Sequence, residues 1–217
     1  MAKILRIDSS SRTQGSHSRE LADYFQATWL KHHPQTEIIV RDIIKTPILH
    51  ITESTITGFY TPTEQLTPQL SQAIALSDEL VDELQSADIL LLSVPMYNFS
   101  VPSALKAWID QIVRIGRTFA YDGTNFTGLV NVKQAYVICA YGSSGFGEGK
   151  PLAALNFLEP YLKQLFGFLG IEDVTFLNLE GTTADEATVA QNTATVKQKI
   201  TTAIKAGTQT RTYMKYL

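Results

Sequence analysis

Cysteine is nearly absent from the 217 residues, with Cys139 standing alone. No intramolecular disulfide can form, and the chain reads as a protein of a reducing, cytoplasmic compartment. Set inside the apolar run Ala135 to Ala140, Cys139 reads as a small hydrophobe rather than a nucleophile. An excess of charge is lacking too: 18 Lys and Arg stand against 21 Asp and Glu, for a net charge of −3. That balance gives no electrostatic footprint for nucleic acid or an anionic membrane, so a small-molecule partner is expected. Histidine is scarce, and His17, His32, His33 and His50 show neither HxH nor HxxxH spacing, so no metal site is expected. His32 and His33, at a helix end, read as solvated. No apolar run approaches a membrane span, and residues 1–8 carry no export-signal core.

What remains is an ordinary globular composition, 44% hydrophobic and 18% charged, which suits one domain over 1–217. Short apolar runs alternate with longer segments of helical period. The runs Ile4–Ile7, Ile38–Val40, Ile89–Val94, Ala135–Ala140 and Val174–Leu179 read as strands. Between them, helices are expected over 18–31, 70–84, from Pro102 through Val113, from Leu155 to Leu169, and finally across Val189, Val196, Ile200 and Ile204. Gly170 is placed to end the fourth of these. Strand–helix alternation five times over predicts an α/β fold, a parallel sheet with helices on both faces. Two stretches exceed this pattern. Residues 43–68 are long for a connection and should carry small helices or a function, and Phe119–Leu129 reads as a hairpin or aromatic loop.

In such a sheet ligands bind beyond the carboxyl ends of the strands. After the first strand, residues 9–18 are dense in hydroxyls and open a helix. Helix amides with serine donors make an anion cradle, and the absence of Lys suits a permanent phosphate monoester held by neutral donors. The same residues also read as a plain Ser-rich turn, with Ser16 or Ser18 as N-cap. After the third strand, Pro95-Met96-Tyr97-Asn98-Phe99-Ser100-Val101-Pro102 sets apolar and aromatic side chains around one Asn between stiffening prolines. Such a loop can pave a flat ring or tuck into the core. After the fourth strand, Tyr141 to Pro151 is rich in glycine. It misses the Walker A spacing, with three residues between Gly145 and Gly149 and Pro151 after Lys150. Lys150 breaks a dinucleotide fingerprint, and Phe146 breaks a nucleophile elbow.

The Ser-rich loop, the Pro-Met-Tyr-Asn-Phe loop with its Pro-Ser-Ala-Leu-Lys-Ala-Trp-Ile-Asp continuation, and the Thr-Phe-x-Tyr and Gly-Leu runs together resemble the FMN-dependent NADH azoreductases. These are flavodoxin-like quinone reductases, and the likeness runs from Lys3 to about Ile204. The resemblance implies a doubly wound five-stranded parallel sheet of order 2-1-3-4-5. It implies a homodimer with FMN as cofactor and NADH as donor, with NADPH left open because Arg12, Lys150 and the long loop could meet a 2′-phosphate. Quinones and aromatic azo compounds would be reduced by ping-pong two-electron transfer through flavin N5. By the same resemblance Ser10, Ser16, His17 and Ser18 are phosphate positions, and Pro95, Met96, Tyr97, Asn98 and Phe99 lie along the flavin. Tyr141, Gly142 and Ser143 form a third flavin loop, where Ser143 replaces the second of a common glycine pair. Tyr121 and Phe168 are substrate-side aromatics of the neighbouring subunit. No side chain is expected as catalytic acid or base, with Asn98 a contact to flavin N5 or O4. A flavodoxin-type carrier passing single electrons to a protein partner is the alternative.

Overall fold

The computed structural model describes residues 2–214, with side chains through residue 206. Five parallel strands form the central sheet: β1 Lys3–Asp8, β2 Glu37–Asp42, β3 Ile89–Pro95, and two later strands that the chain reaches after a hairpin. The hairpin is β4 Phe119–Tyr121 with β5 Phe126–Gly128, and the later sheet strands are β6 Gln134–Ala140 and β7 Val174–Leu179. The order is β2-β1-β3-β6-β7, which is 2-1-3-4-5 when only the sheet strands are counted. Ile7, Leu92, Val137 and Phe176 are successive partners across it.

Side-chain alternation divides the core in two. Leu5, Ile7, Leu90, Leu92, Val94, Val137 and Cys139 face one side. There they meet α3 Pro68–Ser86, α4 Ser103–Ile112 and α5 Leu158–Leu169 through Leu80, Leu84, Trp108, Ile112, Leu162 and Phe166. On the other side Ile4, Ile89, Leu91, Tyr136 and Ile138 meet α1 His17–His32 and α6 Glu186–Met214 through Phe25, Trp29, Val196 and Ile200. Of the long connection, α2 Glu53–Tyr60 makes a short helix capped by Thr52, followed by a 3-10 turn at Thr63–Gln65. Two local expectations change. The helix expected from Leu155 begins at Leu158, because Ala153–Leu155 is a separate 3-10 turn and Leu155 is 40% exposed. His33 is not simply solvated, since its ring packs 4.7 Å from that of Trp29.

One ion pair joins β2 to α1. Arg19 grips Asp42 with two bonds, Nη1 to Oδ2 at 2.7 Å and Nη2 to Oδ1 at 2.9 Å. Burial pushes the Asp42 carboxyl up, but the Arg19 bonds and the backbone N–H groups of Lys45 and Ile44 outweigh it and hold the group at about 2. A carboxyl lowered on folding stabilises the native state above its unfolded value, and loses that contribution as pH falls through the native one. Asp42 should therefore contribute about 2 kcal/mol above pH ~4, lost between pH ~4 and ~2. Urea midpoints measured across that window should fall for the wild type and flatten for Asp42→Asn. Equal slopes would remove Asp42 from the acid transition.

Candidate functional site

The C-terminal ends of β1, β3, β6 and β7 surround a cavity of about 210 Å³. It sits where the chain winds from β1 outward to β2 and back to β3, the switch point at which such sheets bind ligands. The loop after β1 is pinned to β3 by Ser9, whose N–H and Oγ both donate to the Ser93 carbonyl at 3.1 and 2.8 Å. Ser16 is extended, with φ −94° and ψ 111°, and precedes α1 as N-cap without making a side-chain cap bond. Its Oγ instead lies 3.4 Å from that of Ser18. Thr52 and Thr67, by contrast, accept the expected N–H bonds at the starts of α2 and α3. The first-turn amides of α1 thus keep their donor capacity for an anion. Ser10, Ser16, His17 and Ser18 all line the cavity. So does Arg12, exposed and without an ion pair among the described residues. The expected cradle of neutral donors therefore has a cation at its rim.

Pro95, Met96 and Tyr97 form the next wall. The Tyr97 hydroxyl accepts the Ser11 N–H at 3.3 Å, tying the first loop to the third strand's loop. Tyr97 and Ser100 exchange two backbone bonds of 3.0 and 3.1 Å around Asn98 and Phe99. Both intervening residues have positive φ, 49° and 69°, the arrangement of a tight two-residue turn that usually calls for Asn-Gly. A phenylalanine held there is strained, and such strain gathers at functional sites. The Phe99 carbonyl is secured by the Phe157 N–H at 3.0 Å. Asn98 lines an adjoining cleft of about 520 Å³, which shares Tyr97 and also holds Ser100, Lys106 and Tyr161. Phe99 stands at the tip, 45% exposed, so it does not tuck into the core.

The third wall differs more from expectation. Gly142 lines the cavity beside Ala140, but Tyr141 points away from it and is fully buried. Tyr141 continues the alternation of Val137 and Cys139 into the α5 side of the core. There it stacks on Phe146 at 5.4 Å and its hydroxyl donates to Glu159 at 2.7 Å. Burial, reinforced by its neighbours Cys139 and Glu159, pushes the phenol well above its ordinary range. Burial likewise raises the Cys139 thiol, which keeps it un-ionised. Tyr141 therefore serves the site through its main chain, its carbonyl accepting the Thr182 N–H at 3.0 Å. Ser143 is exposed and outside the cavity lining. Thr182 and Thr183, absent from the expected site, line it instead. The available signal was topological: they follow β7, whose parallel pairing with β6 ends beside Gly142. Beyond them the glycine loop is held by Glu180, which accepts N–H bonds from Gly145, Phe146 and Gly147 at 2.8, 3.1 and 3.1 Å.

Tyr121 and Phe168 line neither of these two cavities. They belong to an aromatic cluster between the β4–β5 hairpin and α5. Tyr121 stacks on Phe126 at 4.6 Å, and Phe168 supports Phe119 and Phe126 at 4.9 and 5.5 Å. Tyr121 and Phe126 are 48% and 60% exposed, a protruding aromatic surface that none of the described residues covers. Phe126 was not singled out from the sequence, although it stands in the same aromatic run.

Free helix amides, serine hydroxyls and a rim arginine fit a phosphate monoester, and the Tyr97 loop beside them fits a planar ring. Fold and cleft together define a flavodoxin-like α/β protein with an anion cradle at the β1/β3 switch point. Residues 2–203 match the family model described as flavodoxin-like fold. The chain is 44% identical over 200 residues to an FMN-dependent NADH:quinone oxidoreductase of Hydrogenovibrio crunogenus, covering 92% of this chain and 98% of that one. It is 48% identical over 174 residues to another from Xanthobacter autotrophicus, covering 80% and 84%. An azoreductase from Bacillus anthracis solved in complex with FMN shares the fold, with a TM-score of 0.83 at 23% identity over 95% of this chain and 99% of that one. The chain belongs to the flavodoxin-like family of the FMN-dependent NADH:quinone oxidoreductases.

Proposed function

We propose that the protein uses FMN to carry reducing equivalents from NADH to quinones, and to aromatic azo compounds by the same route. The observation that carries this reading is the uncapped start of α1 among serine hydroxyls, opening beside a strained aromatic loop. FMN, when bound, supplies the two-electron redox chemistry that no side chain of the protein could. The chain's own part is binding, orientation and charge stabilisation. Ser10, Ser16, His17 and Ser18 would hold the phosphate, with Arg12 at the rim. Pro95, Met96, Tyr97, Asn98 and Phe99 would flank the ring from one side and Gly142 from the other. Backbone N–H groups near Asn98 and Gly142 would stabilise negative charge on the ring, since neither Pro95–Pro102 nor Tyr141–Ser143 carries Lys or Arg. No acid or base among the side chains is required.

The single-electron carrier has no comparable support, because the relatives that match 92% and 80% of the chain are named as oxidoreductases. A homodimer is part of the reading. Leu49 and Tyr60 are each 71% exposed and Phe157 is 57%, apolar surface of the kind a partner covers. In that assembly Tyr121 and Phe168 would meet substrate at the neighbouring subunit's cleft. Among the described residues no helix is long and apolar enough to cross a membrane, and a cytoplasmic location is proposed with the rest.

The test is an anaerobic absorbance titration of FMN-loaded protein. NADH should bleach the flavin band, and a quinone should restore it in full. Bound FMN left oxidised by NADH would overturn the reductase reading, and failure to bind FMN would overturn the cofactor assignment.

A further inference from the structure

The phosphate loop rests on a buried arginine. Arg19, in the first turn of α1, is 9% exposed and aims its guanidinium back under the loop. Nε and Nη2 donate to the Ser10 carbonyl at 3.3 and 2.9 Å, and the remaining edge holds Asp42. In a trans peptide the carbonyl and the following N–H point in opposite directions. With the Ser10 carbonyl drawn down to Arg19, the Ser11 N–H is turned up, and it reaches the hydroxyl of Tyr97 in the cavity wall.

Charge alone does not explain Arg19. Beneath the loop it meets Asp42 and, at 3.6 Å, Asp8, while Arg6 is paired with Asp8 and Asp23 at 3.0 and 2.7 Å. Counting Lys45, whose Nζ lies 3.7 Å from Asp42, three cations against three carboxylates leave no net positive field for a phosphate. A planar fork that binds a carbonyl and a carboxylate together is a geometric device, and lysine cannot reproduce it. Asp42 in turn accepts the N–H groups of Ile44 and Lys45, so the same clamp fastens the start of the long connection.

We infer that Arg19 is a positioning residue: it aims the Ser10–Ser11 peptide into the cleft and thereby sets selectivity for the phosphorylated flavin. The inference rests on the proposed FMN site, and its test separates the two. Apoprotein is titrated with FMN and with riboflavin, which has the same ring and no phosphate, by quenching of flavin fluorescence. Wild type should prefer FMN strongly; no binding of either flavin would overturn the cofactor reading and this inference with it. Arg19→Lys should weaken FMN by about tenfold or more and leave riboflavin within twofold, so the ratio of the two constants collapses. A wild-type ratio in a folded Arg19→Lys protein, or equal losses for both flavins, would overturn the positioning role while leaving the FMN site intact. Asp42→Asn supplies a second measurement. It frees the outer edge of the guanidinium and raises the net charge under the loop by one. Loosened aim predicts a several-fold weaker FMN with riboflavin unchanged. Tighter FMN would show that charge sets affinity, and would overturn the proposal.

Discussion

Ser16→Asp is expected to abolish FMN binding at micromolar cofactor without destabilising the apoprotein. Ser16 is 5% exposed and lines the proposed phosphate cavity. A carboxylate there would face a phosphate dianion at close range. One pair of like charges ~5 Å apart costs roughly 3 kcal/mol at an effective dielectric of 20, and the phosphate carries more than one charge. The affinity should fall at least ~100-fold. The helix, meanwhile, gains rather than loses. Asp caps as well as Ser and suits the positive end of the helix, and Ser16 makes no cap bond that could be forfeited. Thermal unfolding of the apoprotein should stay level or rise, while fluorescence titration shows FMN lost and riboflavin little changed. Retention of FMN by this variant would place the phosphate elsewhere.

Gly128→Ala should be the most damaging single methyl in the chain's outer parts. Gly128 ends β5 and lies directly against the backbone of Leu169 and Gly170, where α5 stops in a left-handed turn of φ +91°. A Cβ at 128 would drive into the Leu169 carbonyl group and the Gly170 nitrogen, backbone atoms that cannot rotate away. The contact is further tied by the Val130 N–H donating to the Leu169 carbonyl at 3.2 Å. Overpacking of this kind should cost about 3 kcal/mol, or roughly 6–12 °C in melting temperature for a chain of this size. Gly167→Ala, in the last turn of the same helix, is the matched control: nothing lies within 4 Å of its Cβ, and it should stabilise by about 0.5–1 kcal/mol. If both variants melt alike, the hairpin is not seated on α5 as described.

How far the chain could be read without a structure follows from the range of each signal. The uncharged run Ile89–Val94 is buried on both faces of the sheet, and such runs announce parallel strands directly. Periodicity also carried α1, α3 and α4. Helix starts fared worse, because a stripe of leucines continues across a break: Leu155 shares its spacing with Leu158 and Leu162 but belongs to a preceding turn. At the site, residues adjacent in sequence to a strand end were readable, which is why Ser10, Ser16, Met96 and Gly142 fall on the cavity. Tyr141 belongs to the expected third flavin loop, but the two-residue period of β6 carries its side chain to the opposite side with Cys139. Thr182 and Thr183 required knowing which strand lies next to β6. Arg19 required knowing that Arg6 and Asp8 of β1 point toward α1, a charged end on an otherwise apolar strand face.

The closed turn at Asn98 and Phe99 has a kinetic consequence. Its backbone is locked by the Tyr97–Ser100 bonds and by Phe157, none of which needs a flavin, so the proposed ring-binding wall is preformed. A preformed wall leaves little rearrangement to slow the encounter. Association rates for flavins differing only in their ring substituents should therefore be nearly equal, and their affinities should separate in residence time. On the proposed reading, the strain carried by Phe99 exchanges a little native stability for a cleft that would capture each flavin at the same pace and discriminate among them only on release.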